Sequence, residues 1–364
     1  MSNEWTNRYN PFNSWKALTH TDHFKAILAG HPMPPIVVNM DLTNKCNYQC
    51  RFCMFGGKRK RADSQSQDYL FGTKDLPEGY ALSLPKFWKD WGVKAVCLAG
   101  GGEPSLHKDC MGFIEQCGKN GLDLGFVTNG FLVNNEKWWQ VVNDNCKFIG
   151  FSIDAGTAED YAKVKGVKKE QFQIIINNLK GVAKTKGNVQ IGFKFLLDQY
   201  NQTSIYEAAK IGRDTGCNHF HFRPAIDSYV YSDEELKKIW AQISKAQKDF
   251  ESDTYHVFGV KHKFNPNLSK KHKFGKCRAS MLTSTWAADG NVYLCTDSRG
   301  CDWSRLVSHY PDPTKVIDYW GSKEHWAKVD KINFNEKCDR CTLTAYNEFF
   351  ENVFINDNMD RNLI

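Results

Sequence analysis

Three cysteines lie within one eight-residue stretch, CNYQCRFC, in which Cys46, Cys50 and Cys53 have the spacing C-x3-C-x2-C. Three thiolates bind three irons of a [4Fe-4S] cluster and leave the fourth iron open to a ligand that receives an electron. A structural zinc site needs a fourth protein ligand, and this stretch contains no further cysteine or histidine. The spacing therefore predicts an iron-sulfur cluster with one open iron.

The elements that must position this loop are repeated β-α units. Between residues 36 and 224, short β-rich runs alternate with helical patterns, which is typical of a parallel sheet covered by helices. We predict strands at 36–42, 94–99, 123–128, 147–153, 189–196 and 218–223. We predict helices at 84–91, 108–120, 136–143, 170–186 and 204–215. The pattern favours an α/β fold, a partial (β/α)6 TIM-like barrel whose active residues lie at the carboxyl ends of the strands.

The pattern changes after residue 224. Residues 232–250 have the period of an amphipathic helix with Ser232 as its N-cap, and short aromatic, glycine- and cysteine-containing segments follow, with a last helix at 343–354. We predict four parts: an N-terminal extension (1–35), the barrel (36–230), a linker helix with a basic segment (231–276) and a small cysteine-rich domain (277–364).

The cysteine stretch, with the aromatic Phe52 before its last cysteine, resembles the signature of the radical S-adenosylmethionine (SAM) superfamily. The resemblance implies that Cys46, Cys50 and Cys53 hold a [4Fe-4S] cluster and that the amine and carboxylate of SAM bind its open iron. It also implies reductive cleavage of SAM to a 5'-deoxyadenosyl radical, which abstracts a hydrogen atom from a substrate. The electron would come from a flavodoxin- or ferredoxin-type donor.

Further motifs of the same family follow in the expected order. They are AGGGEP (99–104), VTNG (127–130) and FSIDAGTAEDYAKVKG (151–166), and the family commonly has Arg-Gly where this chain has Lys165-Gly166. Glycines allow the backbone to approach a ligand closely. The resemblance implies that SAM is bound by Phe52, Gly100, Gly101, Gly102, Glu103, Thr128, Asn129, Ser152, Asp154 and Lys165.

Candidate catalytic residues lie at the sixth strand and in the C-terminal part. In HFHFRPA, His219 and His221 alternate with phenylalanines and so share one face, where they either act as bases toward a substrate or pack inside the barrel. Arg223 closes this strand and is expected to contact SAM or substrate. Cys301 is interpreted as a substrate-facing acid/base, an alternate cluster ligand or an inert thiol.

A second set of cysteines resembles the auxiliary-cluster modules of radical SAM enzymes, called SPASM and, in the smaller form, twitch. Cys277, the last residue of GNVYLC (Cys295) and the CDRC pair (Cys338 and Cys341) match the four-cysteine twitch pattern. The resemblance implies one auxiliary [4Fe-4S] cluster that transfers electrons or frames the substrate pocket. Four thiolates also satisfy a structural zinc ion, so zinc remains the alternative.

Composition and charge narrow the class of protein. The chain of 364 residues has 13 cysteines, lacks a signal peptide pattern and has no apolar run of about 18 residues. We therefore expect a cytoplasmic protein whose clustered thiols bind metal rather than form disulfides. The net charge of +7 is concentrated in Lys58–Arg61 and in the acid-free segment 254–288.

A run of charges is usually a solvated surface, and the alternative is that an anionic substrate or a nucleic acid approaches this side; the interleaved aromatic residues fit that alternative. We predict a nucleotide, a nucleobase within nucleic acid such as a modified thymine, or a phosphorylated small molecule. The alternatives are a twitch-type dehydrogenase of a small alcohol or aminocyclitol, and a peptide-modifying enzyme. A nucleic-acid-binding iron-sulfur sensor is the non-enzyme alternative.

Overall fold

In the part of the chain that the structure describes, ten strands form one sheet in the order β10-β9-β8-β1-β2-β3-β4-β5-β6-β7. The computed structural model describes residues 9–55, 74–185, 187–225, 229–259, 264, 272, 274–338 and 341–355. From β8 to β7 all neighbouring strands are parallel, whereas β9 and β10 pair in antiparallel orientation. The strands β1 to β10 are Val37–Met40, Ala95–Leu98, Asp123–Thr128, Phe148–Ser152, Gln190–Leu197, His219–Pro224, His256–Gly259, Thr283–Trp286, Asn291–Tyr293 and Arg305–Ser308.

The six predicted strands are confirmed to within two residues, because each is a run of largely buried side chains, which alternate with more exposed ones in β1 and β3 and are almost continuous in β2 and β4. In β3, Leu124 and Phe126 are buried under the helices, whereas Gly125 and Val127 face the inside of the sheet. The buried faces of the strands and helices form one large apolar core. The pattern of buried side chains therefore determines where each strand ends. It also determines where the motif that follows each strand lies.

Helices cover the outer face of the sheet. Ser232 caps the helix that follows it through a reciprocal capping box with Glu235, as predicted. The helix Ala158–Lys165 was not predicted, although Thr157 accepts a hydrogen bond from the backbone N–H of Asp160 and so begins it. No helix in the described ranges is long and apolar enough to cross a membrane. The helices α1 to α12 are Thr21–Leu28, Tyr80–Trp91, Cys110–Lys119, Glu136–Asn145, Ala158–Lys165, Gln171–Lys184, Ile205–Asp214, Asp233–Phe250, Thr314–Tyr319, Lys323–Asp330, Phe334–Lys337 and Thr344–Phe349.

The sheet continues beyond the six predicted strands. Strand β7 adds to β6, and β8 adds in parallel to β1, so that Asn39 lies beside Thr285. Strand β8 was not predicted from the sequence because it has only four residues and its partner strand lies about 245 residues earlier. The C-terminal part is therefore joined to the barrel through backbone hydrogen bonds at the β1 edge.

The N-terminal segment closes the end of the barrel opposite the cysteine loop. A short 3-10 helix, Ser14–His20, and the residues before it line a cavity of about 640 Å³ together with the first residues of the strands. Phe12 packs edge-on against Phe148 at 6.2 Å between ring centroids. Helix α1 then packs Phe24 against Phe350, at 4.7 Å, in a second core that it shares with the C-terminal part.

Candidate active site

The cysteine loop leaves the carboxyl end of β1 and presents three thiols that form no disulfide. Cys46 is exposed, and Cys50 and Cys53 are partly buried. The backbone N–H of Tyr48 donates to Cys46 Sγ and that of Phe55 to Cys53 Sγ, each at 3.4 Å. Burial raises the pKa of Cys50 to about 11, although the nearby Lys165 ammonium opposes the increase. Thiols of this kind become thiolates when a metal centre compensates their charge, so the donor set fits an iron-sulfur cluster.

The carboxyl end of helix α5 holds this loop. The backbone N–H groups of Gln49 and Arg51 donate to the carbonyl oxygens of Lys165 and Val164, at 3.2 and 3.0 Å. Gly166 ends the helix with φ +67°, and a Cβ there would lie 2.7 Å from the carbonyl oxygen of Gln49. A glycine is therefore required at this position by both its backbone conformation and its contact with the cysteine loop.

Lys165 and Asp154 form a buried ion pair beneath the loop. Their side chains are 2% and 1% exposed, and Lys165 Nζ contacts Asp154 Oδ2. Although burial lowers the pKa of Lys165, the Asp154 carboxylate outweighs this effect and the net pKa is above its ordinary value. Asp154 Oδ1 also accepts the backbone N–H of Leu196 at 2.6 Å. Asp154 thus ties the end of β4 to β5 and to the helix that holds the cysteines.

Glu103 joins the ends of β2 and β3. Its buried carboxylate accepts hydrogen bonds from the hydroxyl and backbone N–H of Ser105, from the Thr128 hydroxyl at 2.6 Å and from the backbone N–H of Asn129 at 2.7 Å. Burial raises its pKa, and these hydrogen bonds oppose the increase. Asn129 in turn donates through its side chain to Asn47 of the cysteine loop at 2.7 Å. The two strand-end motifs and the cysteine loop therefore form one hydrogen-bonded unit.

The glycine run after β2 allows the backbone of this unit to come together. A Cβ on Gly102 would lie 2.1 Å from the carbonyl oxygen of Lys45, immediately before Cys46. Gly100 lies close to Asp41, where a Cβ would be 3.3 Å from the carboxylate. Gly101 lies between them. Gly100 and Gly102 therefore allow close packing against the segment that leads into the cysteine loop. This role is additional to letting the backbone approach a ligand.

The remaining predicted contacts surround this unit. Phe52 is buried beside Val164, and Lys165 Nζ lies 5.6 Å from its ring centroid. Ser152 is the last residue of β4 and is partly buried. On β6, the buried His219 stacks on Phe148 at 5.6 Å, and burial lowers its pKa to about 3.

The predicted catalytic residues lie on β6 and in the C-terminal part, and their roles stay predictions. His221 stacks on Phe258 of β7 at 5.0 Å, and Arg223 follows it near the rim of the barrel. Cys301 is buried in a turn of the C-terminal part, where its backbone N–H donates to the carbonyl oxygen of Ser298 at 3.1 Å.

Sequence reasoning missed an ion pair that joins the C-terminal part to the barrel rim. Arg299 pairs with Asp41, at the end of β1, and both side chains are buried. The guanidinium also lies over the ring of Phe55 at 5.0 Å. No spacing signal links two residues so far apart in sequence. This arginine brings the C-terminal part into contact with the end of β1 and with Phe55, which follows the cysteines.

Four cysteines of the C-terminal part line one cavity. Cys277, Cys295, Cys338 and Cys341 surround it, and Cys301 is not among the residues that line it. Burial raises the pKa of Cys295 and of Cys341 to about 12, and the neighbouring thiols add to the effect. In the parts of the chain that the structure describes, no three His, Cys, Asp or Glu side chains surround a point suited to a single metal ion.

Most of the predicted basic surface lies outside the described residues. This applies to Lys58–Arg61 and to five lysines of the segment 254–288, at positions 261, 263, 270, 271 and 273. The two described cations of that segment are engaged with the C-terminal helices: Lys276 pairs with Asp330 at 2.5 Å, and Arg278 with Glu351 at 3.0 Å. These two residues therefore link parts of the C-terminal region to each other, and the predicted approach of an anionic substrate to the basic segment stays a prediction.

A parallel α/β barrel with a thiol-bearing loop at the carboxyl end of its first strand defines a class of cluster-dependent enzymes. Residues 40–210 match the radical SAM superfamily. This part of the chain is a radical SAM domain, and proteins of that superfamily use a [4Fe-4S] cluster, SAM, a reductant and a substrate.

Two groups of known proteins resemble the chain. Probable GTP 3',8-cyclases of Saccharolobus islandicus (strain M.14.25 / Kamchatka #1) and Metallosphaera sedula are 25% and 28% identical over 193 residues, 53% of this chain. The match spans 57% and 56% of those relatives, a little over half their length. SuiB of Streptococcus suis bound to S-adenosylmethionine has the same fold, with a TM-score of 0.63 at 14% identity over 95% of this chain and 81% of SuiB. The enzyme anSMEcpe with bound AdoMet gives 0.57 at 16% identity, over 85% and 87% of the two chains.

Proposed function

We propose that Cys46, Cys50 and Cys53 hold the cluster at which SAM is reductively cleaved, and that the substrate is an anionic nucleotide, a nucleobase or a phosphorylated small molecule. The observation that carries the proposal is the hydrogen-bonded unit of cysteine loop, Glu103 and Asn129 at one end of the barrel. When bound, the cluster and SAM supply a 5'-deoxyadenosyl radical to the barrel lumen.

The side chains around the loop would orient SAM rather than perform chemistry on it. Glu103 uses its carboxylate to fix Thr128 and Asn129, so the polar groups of these two residues are held in place at the lumen rim. Phe52, Gly100–Gly102, Ser152, Asp154 and Lys165 complete the proposed SAM site. Lys165 would act as a buried cation that is pre-oriented by Asp154.

We further propose one auxiliary [4Fe-4S] cluster on Cys277, Cys295, Cys338 and Cys341. The shared cavity of these four thiols supports it, as does the backbone N–H of Asp297 that donates to Cys295 Sγ at 3.4 Å. A Cys338→Ala/Cys341→Ala variant should lower the iron content from about eight to about four per chain. Cys117→Ala, which removes a buried thiol of α3, is the matched control and should keep the wild-type iron content. Zinc in place of iron in the wild type would refute the auxiliary cluster.

A nucleotide substrate is supported by the name of the curated relatives, which are called probable GTP 3',8-cyclases, and by the basic composition of the chain. The test is to incubate the reduced, SAM-loaded enzyme with GTP deuterated on the ribose and to measure the mass of the 5'-deoxyadenosine formed. Deuterium in 5'-deoxyadenosine is the expected result. Formation of unlabelled 5'-deoxyadenosine with every deuterated nucleotide tested, and labelling by a deuterated aminocyclitol or peptide instead, would refute the nucleotide proposal.

A further inference from the structure

Two hydrogen bonds reach sulfur atoms in the cavity that the four C-terminal cysteines line. Asn347 Nδ2 donates to Cys277 Sγ at 3.4 Å, and both residues are buried. The backbone N–H of Asp297 donates to Cys295 Sγ at the same distance. N–H donors stabilise a thiolate more than a neutral thiol, and the thiolate is the form that binds a metal centre. These contacts therefore favour the form of both cysteines that a cluster requires.

A second hydrogen bond fixes the orientation of the Asn347 amide. Its Oδ1 accepts the backbone N–H of Ala279 at 2.9 Å, in the turn that follows Cys277, so the NH2 group is the end that faces the sulfur. Asn347 lies on helix α12 and is completely buried. Because water does not reach the amide, its hydrogen bond to Cys277 Sγ acts in a medium of low dielectric constant and affects the charge of the sulfur strongly.

Trp303 brings a third donor to the same cavity, and this donor has no acceptor. Its side chain lines the cavity together with the four cysteines. Its indole Nε1 is buried and has no hydrogen-bond partner among the described residues. Two other tryptophans of the same apolar core do have acceptors: Trp320 Nε1 donates to the carbonyl oxygen of Met33 at 2.9 Å, and Trp326 Nε1 to that of Gly30 at 3.0 Å. A buried donor without an acceptor destabilises a folded protein, so this donor points to a bound group that accepts its hydrogen bond.

We propose that Asn347 and Trp303 donate hydrogen bonds to sulfur atoms of the auxiliary cluster and thereby raise its reduction potential. Reduction transfers one electron from the reductant to the cluster, and no bond or proton moves in this step. Because the added electron makes the cluster and its thiolates more negative, N–H donors stabilise the reduced form more than the oxidised form. The two donors therefore favour electron transfer over a purely structural role for this centre. This inference rests on the proposed auxiliary cluster and identifies the residues that tune it.

The test is a redox titration of the auxiliary cluster with dithionite and mediators, followed by electron paramagnetic resonance. It uses the reconstituted full chain with the substitutions Cys46→Ala, Cys50→Ala and Cys53→Ala, so that the signal comes from the auxiliary cluster alone. On this background, Trp303→Phe should lower the equilibrium constant for one-electron reduction about tenfold, which moves the potential about 59 mV in the negative direction. Asn347→Leu, which has a similar shape but no donor, should move the potential in the same direction.

Trp320→Phe is the matched control. It removes an indole N–H of the same core, but Trp320 is not among the residues that line the cysteine cavity, and its acceptor is the carbonyl oxygen of Met33. This variant should therefore keep the potential of the background protein. Each variant should retain about four irons per chain, which shows that the cluster is intact when its potential is measured.

Three results would overturn the inference. The first is an unchanged potential in Trp303→Phe or Asn347→Leu, and the second is a cluster of the background protein that dithionite does not reduce. The third is loss of iron from either variant while Trp320→Phe keeps its iron, because the side chain would then be needed for packing and not for tuning. Metal analysis separates the two proposals: zinc or no metal in the background protein refutes the auxiliary cluster itself, whereas an iron-loaded cluster with the same potential in all variants refutes only the tuning.

Discussion

Replacement of Asp154 by asparagine should destabilise the protein strongly because it leaves a buried cation without its partner. Asp154 has φ +59°, a left-handed conformation that asparagine also adopts readily, so the substitution removes charge while preserving the backbone. The asparagine amide has one acceptor for two donors, the backbone N–H of Leu196 and Lys165 Nζ. One of these donors must lose its hydrogen bond.

The expected cost follows from the burial of the pair. With side chains 2% and 1% exposed, water cannot solvate the Lys165 ammonium once the carboxylate is gone. Removing one member of a buried ion pair typically costs about 3–5 kcal/mol. The double variant Asp154→Asn/Lys165→Met removes both charges and should regain most of this loss, to within about 2 kcal/mol of the wild type.

Urea unfolding followed by circular dichroism measures these free energies, provided that the slope of the transition is unchanged. Glu159→Gln is the control, since Glu159 lies on the same helix in an exposed pair with Lys169 and should cost no more than about 1 kcal/mol. A loss below about 1 kcal/mol in Asp154→Asn, or a double variant as unstable as the single one, would show that charge pairing is not the reason for the stability of this region.

Three further predictions concern the site and the lumen. Gly102→Ala should lower the amount of iron that the protein retains, because its Cβ would lie 2.1 Å from the carbonyl oxygen of Lys45. Gly275→Ala is the control and should retain as much iron as the wild type, because no atom lies within 4 Å of a Cβ at that position. Equal iron contents in the two variants would refute the close-approach argument. Glu103→Gln places an amide NH2 group among the hydrogen-bond donors that now point at the carboxylate, so it should lower the free energy of unfolding in urea by about 1–3 kcal/mol. An unchanged midpoint of the urea transition would contradict this prediction. Burial lowers the pKa of Lys194, on β5, to about 8, below its ordinary value of 10.5, so the stability of the wild type relative to Lys194→Met should rise between pH 8 and 10.5. Lys194→Met should be up to about 3 kcal/mol more stable than the wild type near pH 7, and a difference that stays constant across this range would contradict the prediction.

The strands and their terminal motifs could be predicted from the sequence because both signals are local. Each strand alternates buried and lumen-facing residues, and each motif directly follows such a run. For β3 the predicted bounds, 123–128, coincide with the observed ones. Parallel strands bring their carboxyl ends to one edge of the sheet, so the proximity of the cysteine loop, Glu103 and Asn129 follows once the sheet is accepted.

The interactions that hold the site together could not be predicted, because they depend on three-dimensional packing. The sequence favours a SAM contact for Lys165 but gives no sign that its ammonium is paired with Asp154. Pairing of β8 with β1 and of Arg299 with Asp41 joins residues about 245 to 258 positions apart. Lys194 was accessible to sequence reasoning in part, because it lies in a lumen-facing position of a predicted strand.

The most direct test of the central claim is the formation of 5'-deoxyadenosine from SAM after anaerobic reconstitution and reduction with dithionite. The account predicts product from the wild type and from Cys117→Ala, and none from a Cys46→Ala/Cys50→Ala/Cys53→Ala variant that keeps its auxiliary iron. Product from the triple variant, or no product from the fully iron-loaded wild type, would contradict the assignment of these three cysteines to the SAM cluster.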